Sequence, residues 1–222
     1  MTEWQPILIA STTGFISGVL LSVPVGPVNL TILNEGARRG FLWAGLIGLG
    51  ATVMEVIYCT IAFTSFASLF GGRLVKASME LFSFVFMLYL GVRFLLARRL
   101  LGNSRIEARI EERLHPHSAF MIGFIRVLGN PGVLVFWIIL AANFISREWV
   151  RPDLAGKLSC VGGVALGTGL WFLGLSYAAS RGRGRFSEAT LLRMEHFSGI
   201  GLLVLAMLHA ANIIWQMAHH QL

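Results

Sequence analysis

Six long apolar runs, separated by short polar segments, organise the 222 residues of this chain. They fall at residues 7–33, 41–69, 79–97, 119–146, 157–180 and 196–218. A membrane-spanning helix needs about 20 predominantly apolar residues, so each run predicts one span. The second run is longer than one straight crossing requires, and its end is expected to tilt, kink or lie in the interface. The opening MTEWQP carries no basic residue, and the apolar run behind it is too long for a signal-peptide core. It reads as a retained first span. The expected fold class is all-α, a polytopic membrane helix bundle forming a single transmembrane domain over residues 1–222.

Composition narrows the function. Hydrophobic residues make up 55% of the chain and charged residues 13%, where a soluble domain has about 25% charged. Mean hydropathy is +0.72. A soluble enzyme, a disordered chain and a disulfide-rich secreted module are excluded. The two cysteines, Cys59 and Cys160, lie inside apolar runs and form no CxxC.

The net charge of +7 is a matter of topology rather than of nucleic-acid binding, for which no motif is present. The segments after the first, third and fifth runs hold 12 Lys and Arg, including Arg38, Arg39, Arg93, Arg181 and Arg193. The opposite side holds 5: Arg73, Lys76, Arg147, Arg151 and Lys157. The positive-inside rule puts the richer side in the cytoplasm and both termini outside. The loop at 98–117 is the one long polar segment and reads as a short solvated helix. The Arg181–Arg185 stretch reads as an anchor at anionic headgroups.

A weak internal repeat is visible. Ser22–Asn29 reads SVPVGPVN within the first run, and Leu128–Val133 reads LGNPGV within the fourth. Each places Gly or Asn directly before Pro near the middle of an apolar stretch, and each is followed by a glycine-rich run. The expectation is two inverted three-helix repeats, about 7–97 and 119–218, with broken first and fourth helices, an arrangement typical of transporters. Proline removes a backbone donor and clashes with the preceding turn. Pro24, Gly26 and Pro27 therefore predict an open segment, and Asn130 with Pro131 a second one. Freed backbone groups in hydrocarbon must be re-satisfied or line a wet cavity. The start of the half-helix beyond such a break carries partial positive charge and suits a carboxylate. Asn29 adds donor and acceptor atoms. The glycines Gly45, Gly48, Gly50, Gly162, Gly163, Gly167 and Gly169 read as close-packing positions.

Two charged residues fall inside spans. Glu55 lies about 15 residues, roughly 22 Å, into the second. A carboxylate at that depth is expensive and marks a functional site, either as a proton carrier or as the partner of a substrate ammonium. Arg126 lies about seven residues, roughly 10 Å, into the fourth span. It is the natural partner for Glu55, or a grip for a substrate carboxylate, or a side chain reaching back to the interface. Glu80 reads as interfacial. Asn143, Asn212, Thr52 and His209 read as cavity-lining or helix-bonding residues, and His219 and His220 as a polar tail. These residues do not assemble a metal site, and no Ser or Cys is tied to a base, so neither a metal nor a cofactor is expected.

The run Pro24-Val25-Gly26-Pro27-Val28-Asn29, followed by Gly36-Ala37-Arg38-Arg39-Gly40, resembles the first motif of the lysine exporter (LysE) family. Gly45-x-x-Gly48-x-Gly50 with a following acid is similar too, although that acid is usually Asp in the family and is Glu55 here. Asn130-Pro131 resembles the family's central Asn-Pro. The resemblance implies a multi-pass protein of the bacterial inner membrane that exports amino acids or similar amphoteric solutes, driven by the proton-motive force. It also implies a homodimer. Its functional positions map onto Pro24, Gly26, Pro27, Asn29, Glu55, Asn130 and Pro131. Arg126 departs from the pattern and weighs against cationic substrates.

Three other readings stay open. A metal or inorganic-ion exporter needs ligand clusters on facing spans. A membrane thiol–disulfide electron carrier needs two cysteines at matched depths, whereas Cys59 is read as deep in the second span and Cys160 as near the start of the fifth. An inert scaffold subunit has no solute phenotype.

Overall fold

The computed structural model describes residues 4–24, 26–65, 73–97, 118–182 and 188–218. The loop expected at 98–117, Arg183, Arg185 and the His219–His220 pair lie outside the described residues, as do the side chains of Glu80, His209 and Asn212.

The described residues form eight helices: α1 (Trp4–Ser22), α2 (Pro27–Arg39), α3 (Phe41–Ser65), α4 (Arg73–Leu95), α5 (Ala119–Leu128), α6 (Pro131–Ser146), α7 (Leu154–Gly182) and α8 (Glu188–Ala218). Proline sets the internal boundaries. Helix α1 stops two residues before Pro24, and α2 restarts with Pro27 as its first residue, where the missing N–H costs nothing. Helix α5 stops before Asn130-Pro131, and α6 restarts at Pro131 with a bend of 66° between the two. Ser118 caps α5 by accepting a hydrogen bond from the Met121 N–H at 3.3 Å. Asp153 caps α7 by accepting from the Gly156 N–H at 2.7 Å.

Among the described residues, three helices are long and apolar enough to cross a membrane: α1, α3 and α7, the first two running Trp4–Ser22 and Phe41–Thr64 in their apolar part. The bent pair α5–α6 makes a fourth. Helices α4 and α8 contain the shorter apolar stretches Phe84–Leu95 and Gly199–Leu208. The outer surface is apolar, with Leu42, Leu166, Leu170 and Met207 exposed, as lipid contact requires.

Small residues hold the bundle together. Ala10, Gly14, Gly18 and Ser22 form one buried stripe on α1. A Cβ added to Gly14 would fall on the Cys160 carbonyl, and one on Gly163 would fall on the Ser11 carbonyl. The second crossing repeats this geometry: a Cβ on Gly123 would fall on the Ile47 carbonyl, and one on Gly50 on the Phe120 carbonyl. In both crossings each glycine follows by three positions the residue whose carbonyl receives the partner glycine. Helix α1 thus lies directly on α7, and α3 on α5, backbone against backbone. Without a hydrophobic force between helices in lipid, this close approach is the main source of packing energy. Helices α3 and α7 pack antiparallel at the centre, with Gly48 against Phe172 and Thr52 against Gly169. Helix α4 pairs with α8, where Gly91 and Gly199 face each other's backbone.

Candidate functional site

The first break is closed by one side chain. The Asn29 Nδ2 donates to the Ser22 carbonyl at 2.8 Å and to the Pro24 carbonyl at 2.7 Å, while its Oδ1 accepts from the Trp171 indole at 3.4 Å. The carbonyls released by the proline break therefore have a donor within the protein. Asn29 is 3% exposed, and its amide works as a staple across the gap. The Gly26 position ahead of α2 provides no side-chain cap, so the first turn of α2 keeps its backbone N–H groups unsatisfied by side chains.

The second break is closed differently. Asn130 Oδ1 accepts from the Gly132 N–H at 3.1 Å and so caps α6. The Leu128 carbonyl at the end of α5 accepts from the Tyr58 hydroxyl of α3 at 2.8 Å. Tyr58 follows Gly50 by eight positions, and Trp171 follows Gly163 by eight. Each break is thus bonded by an aromatic donor from the corresponding position of the long helix that crosses the other half.

Glu55 sits in the middle of α3 and is 6% exposed. Its Oε2 accepts from the Trp137 indole of α6 at 2.5 Å. An indole N–H buried in a membrane protein needs an acceptor, and a buried carboxylate needs a donor. A partnership with Arg126 was one of the readings the sequence left open. Among the described residues, the hydrogen-bond partner of Glu55 is Trp137 instead. Arg126 projects from α5 and lines the same cavity.

A cavity of about 440 Å³ lies between the breaks. Its lining includes Pro24, Gly26, Pro27, Asn29, Glu55, Arg126 and Asn130, seven of the eight positions singled out from sequence. Pro131 is outside the lining, although its neighbours Asn130 and Gly132 belong to it. The volume falls within the range of about 300–1,000 Å³ usual for small-molecule sites. The rest of the wall is mostly apolar, with Phe86, Leu90, Phe136 and Phe172, and Arg93 of α4 adds a second guanidinium.

Tyr58, Trp137, Trp171 and Arg93 were not singled out beforehand. Trp137 and Trp171 had a legible signal, an indole in mid-span that must find an acceptor. Arg93 was counted as a topological charge, and nothing along the chain placed it on the cavity.

The cysteines need a correction. The antiparallel register of α3 and α7, with Gly48 at Phe172 and Thr52 at Gly169, sets Cys59 opposite Cys160. Their depths match, because the two spans run in opposite directions and late in one is early in the other. Both are free thiols, fully buried, and neither lines the cavity. Among the described residues, no group of three or more His, Cys, Asp or Glu is placed to hold a metal ion. Thr52, read from the sequence as cavity-lining or helix-bonding, bonds back to the Gly48 carbonyl of its own helix at 2.9 Å, and Asn143 is buried within α6.

Residues 19–212 match the family model described as LysE type translocator. The chain belongs to that family. It is 27% identical over 192 residues to "Putative amino acid efflux protein YcgF" of Bacillus subtilis, covering 85% of this chain and 89% of the relative. It is 23% identical over 192 residues to "Uncharacterized membrane protein PA4757" of Pseudomonas aeruginosa, covering 85% of this chain and 88% of that protein. No solved structure matches it significantly. The translocator is a multi-pass membrane protein, as its family and its apolar helices together indicate. A translocator of this kind works on a small-molecule substrate in contact with membrane lipid.

Proposed function

We propose that this translocator is a secondary exporter of amino acids or similar small amphoteric solutes, driven by the proton-motive force across the bacterial inner membrane. The observation that carries this reading is the convergence of both helix breaks, Glu55 and Arg126 on one cavity. The amino-acid part is also supported by the efflux name of the Bacillus subtilis relative.

The scaffold in this reading has six spans in two inverted three-span repeats, with both termini outside and the broken spans formed by α1–α2 and α5–α6. The matched glycine crossings of α1 with α7 and of α3 with α5 support it, since two halves of opposite orientation would place equivalent contacts this way. So does the equivalence of Tyr58 and Trp171. The positive-inside count supports the orientation. A homodimer remains part of the reading.

Glu55 has the central role. It either takes the substrate ammonium or carries the coupling proton, and the mid-span position serves both. The first turn of α2, with Arg126 nearby, takes the substrate carboxylate. Asn29, Pro24, Gly26 and Pro27 shape the first half of the seat, and Asn130 and Pro131 the second.

The test is efflux from cells fed mixed dipeptides, with free amino acids quantified in the medium. Accumulation outside that disappears in Glu55→Gln supports the reading. Normal export by Glu55→Gln at every pH sinks the role of the carboxylate. An unchanged medium in wild-type cells sinks amino-acid export itself.

A further inference from the structure

We propose that a recess on the outer face of α3 and α7 binds one anionic phospholipid, with an acyl chain in the recess and the phosphate at Arg181. This site is separate from the solute cavity and does not rest on the exporter reading.

The recess holds about 240 Å³, and its described lining carries no charged side chain. Leu42, Leu46, Leu49 and Leu173, all exposed, form its rims. Gly45 and Gly169 leave the space between them. A Cβ on Gly45 would meet Leu173 at 3.8 Å and one on Gly169 would meet Thr52 at 3.9 Å, both ordinary contacts, so helix packing does not demand glycine at either position. Thr52 marks the inner end, with its hydroxyl donated to the Gly48 carbonyl of its own helix. From Phe41 to Thr52 the recess follows α3 for about 17 Å. Half of the hydrocarbon core is about 15 Å, so the recess suits the chain of a lipid from one leaflet.

The Phe41 end is basic. The antiparallel register that sets Gly45 at Leu173 continues to Phe41 against Tyr177, with ring centroids 6.3 Å apart. The exposed Arg181 guanidinium lies 5.3 Å over the same Tyr177 ring. Arg38 and Arg39 end α2, joined to Phe41 by Gly40. Both reach the Glu35 carboxylate, at 3.7 Å and 2.9 Å, so three guanidinium groups stand against one carboxylate at this corner. Positive charge beside an apolar groove at a helix end complements an anionic headgroup with its chain. In the orientation proposed above, this is the cytoplasmic leaflet. A second copy of the chain fits less well. A two-fold axis along the membrane normal sets Arg181 level with its counterpart, like charge toward like charge.

The experiment titrates the purified full-length chain in detergent with dioleoyl phosphatidylglycerol or dioleoyl phosphatidylcholine and counts bound lipid by native mass spectrometry. Phosphatidylglycerol is expected to bind at least about fivefold tighter, the effect of one basic residue near an anionic headgroup. Arg181→Gln is expected to lower phosphatidylglycerol affinity about fivefold and leave phosphatidylcholine unchanged. Gly45→Leu grows a side chain into the recess and is expected to weaken both lipids. Arg181→Gln, at an exposed position, carries the test should Gly45→Leu not fold. Equal wild-type affinity for the two lipids, or a preference undiminished in Arg181→Gln, overturns the proposal. Unchanged binding by a folded Gly45→Leu overturns the recess as the seat of the chain. A disulfide between two copies carrying Leu42→Cys, Cys59→Ser and Cys160→Ser, formed on oxidation in phosphatidylglycerol bilayers, places a second copy on the recess and overturns the lipid as its occupant.

Discussion

The indole of Trp137 donates to Oε2 of Glu55 at 2.5 Å, across 82 positions of sequence. This bond fixes one carboxylate oxygen to α6, the half-helix that begins at the second break. Glu55 also lines the cavity wall. A bond between α3 and a broken helix also gives Glu55 a mechanical link to any motion of that helix.

Trp137→Phe keeps the ring packed and removes the donor. A buried hydrogen bond of this kind contributes about 1 kcal/mol, so efflux is expected to fall about fivefold. Initial efflux rates of wild type and variant in proteoliposomes check this. Wild-type efflux from Trp137→Phe would show that the indole does not position Glu55.

The staple at the first break predicts an order among variants. Asn29→Ala removes both donors, leaving the Ser22 carbonyl without its Asn29 partner and the Pro24 carbonyl with the Gly26 N–H alone, at a cost of about 1–3 kcal/mol. Asn29→Asp sets a carboxylate against those two carbonyls and is expected to be at least as damaging. Thermal unfolding in detergent measures the order. An Asp variant as stable as wild type would mean that the amide donors do not hold the break.

Tyr58→Phe and Trp171→Phe test the two aromatic bonds. The Tyr58 bond to Leu128 is 2.8 Å and the Trp171 bond to Asn29 is 3.4 Å. The shorter bond contributes about 1 kcal/mol, which lowers Tm by about 2–4 °C, and the longer bond less. A larger drop in Trp171→Phe than in Tyr58→Phe would contradict this ranking, once Trp171→Tyr has been used to separate lost ring volume from lost bonding.

Neighbouring glycines should separate sharply. Gly163→Ala drives a Cβ onto the Ser11 carbonyl, while Gly162→Ala meets nothing within 4 Å. Overpacking of this kind costs about 1–3 kcal/mol. The yield of folded protein from membranes is expected to fall for Gly163→Ala and for its counterpart Gly50→Ala. It is expected to hold for Gly162→Ala. Equal yields for all three would remove the backbone crossing as the source of packing.

Cys59 and Cys160 share a level in the bundle but neither borders the cavity. The double variant Cys59→Ser, Cys160→Ser is expected to export at the wild-type rate. Loss of export, with the protein still present in the membrane, would reopen thiol–disulfide chemistry.

Much of this protein was determined along the chain. Apolar run lengths predicted membrane helices, because transfer from water depends on local composition. Pro24, Pro27 and Pro131 marked the helix ends, because proline lacks an N–H wherever it sits. The depth of Glu55 followed from a rise of about 1.5 Å per residue. The motif around Pro24–Asn29 pointed to the LysE family, and that membership holds.

Partnership was decided only by the tertiary structure. Trp137, not Arg126, meets Glu55, and Asn29 turns inward on its own break. Cys59 and Cys160 share a depth that counting from each span's start had obscured. Helical periodicity states which residues share a face but not which face meets which helix. That choice rests on glycine crossings between segments far apart in sequence, where a Cβ on the facing glycine would strike the partner's backbone. The cavity is their consequence: α1 rests on α7 and α3 on α5, and the space between the two broken spans is left for a solute.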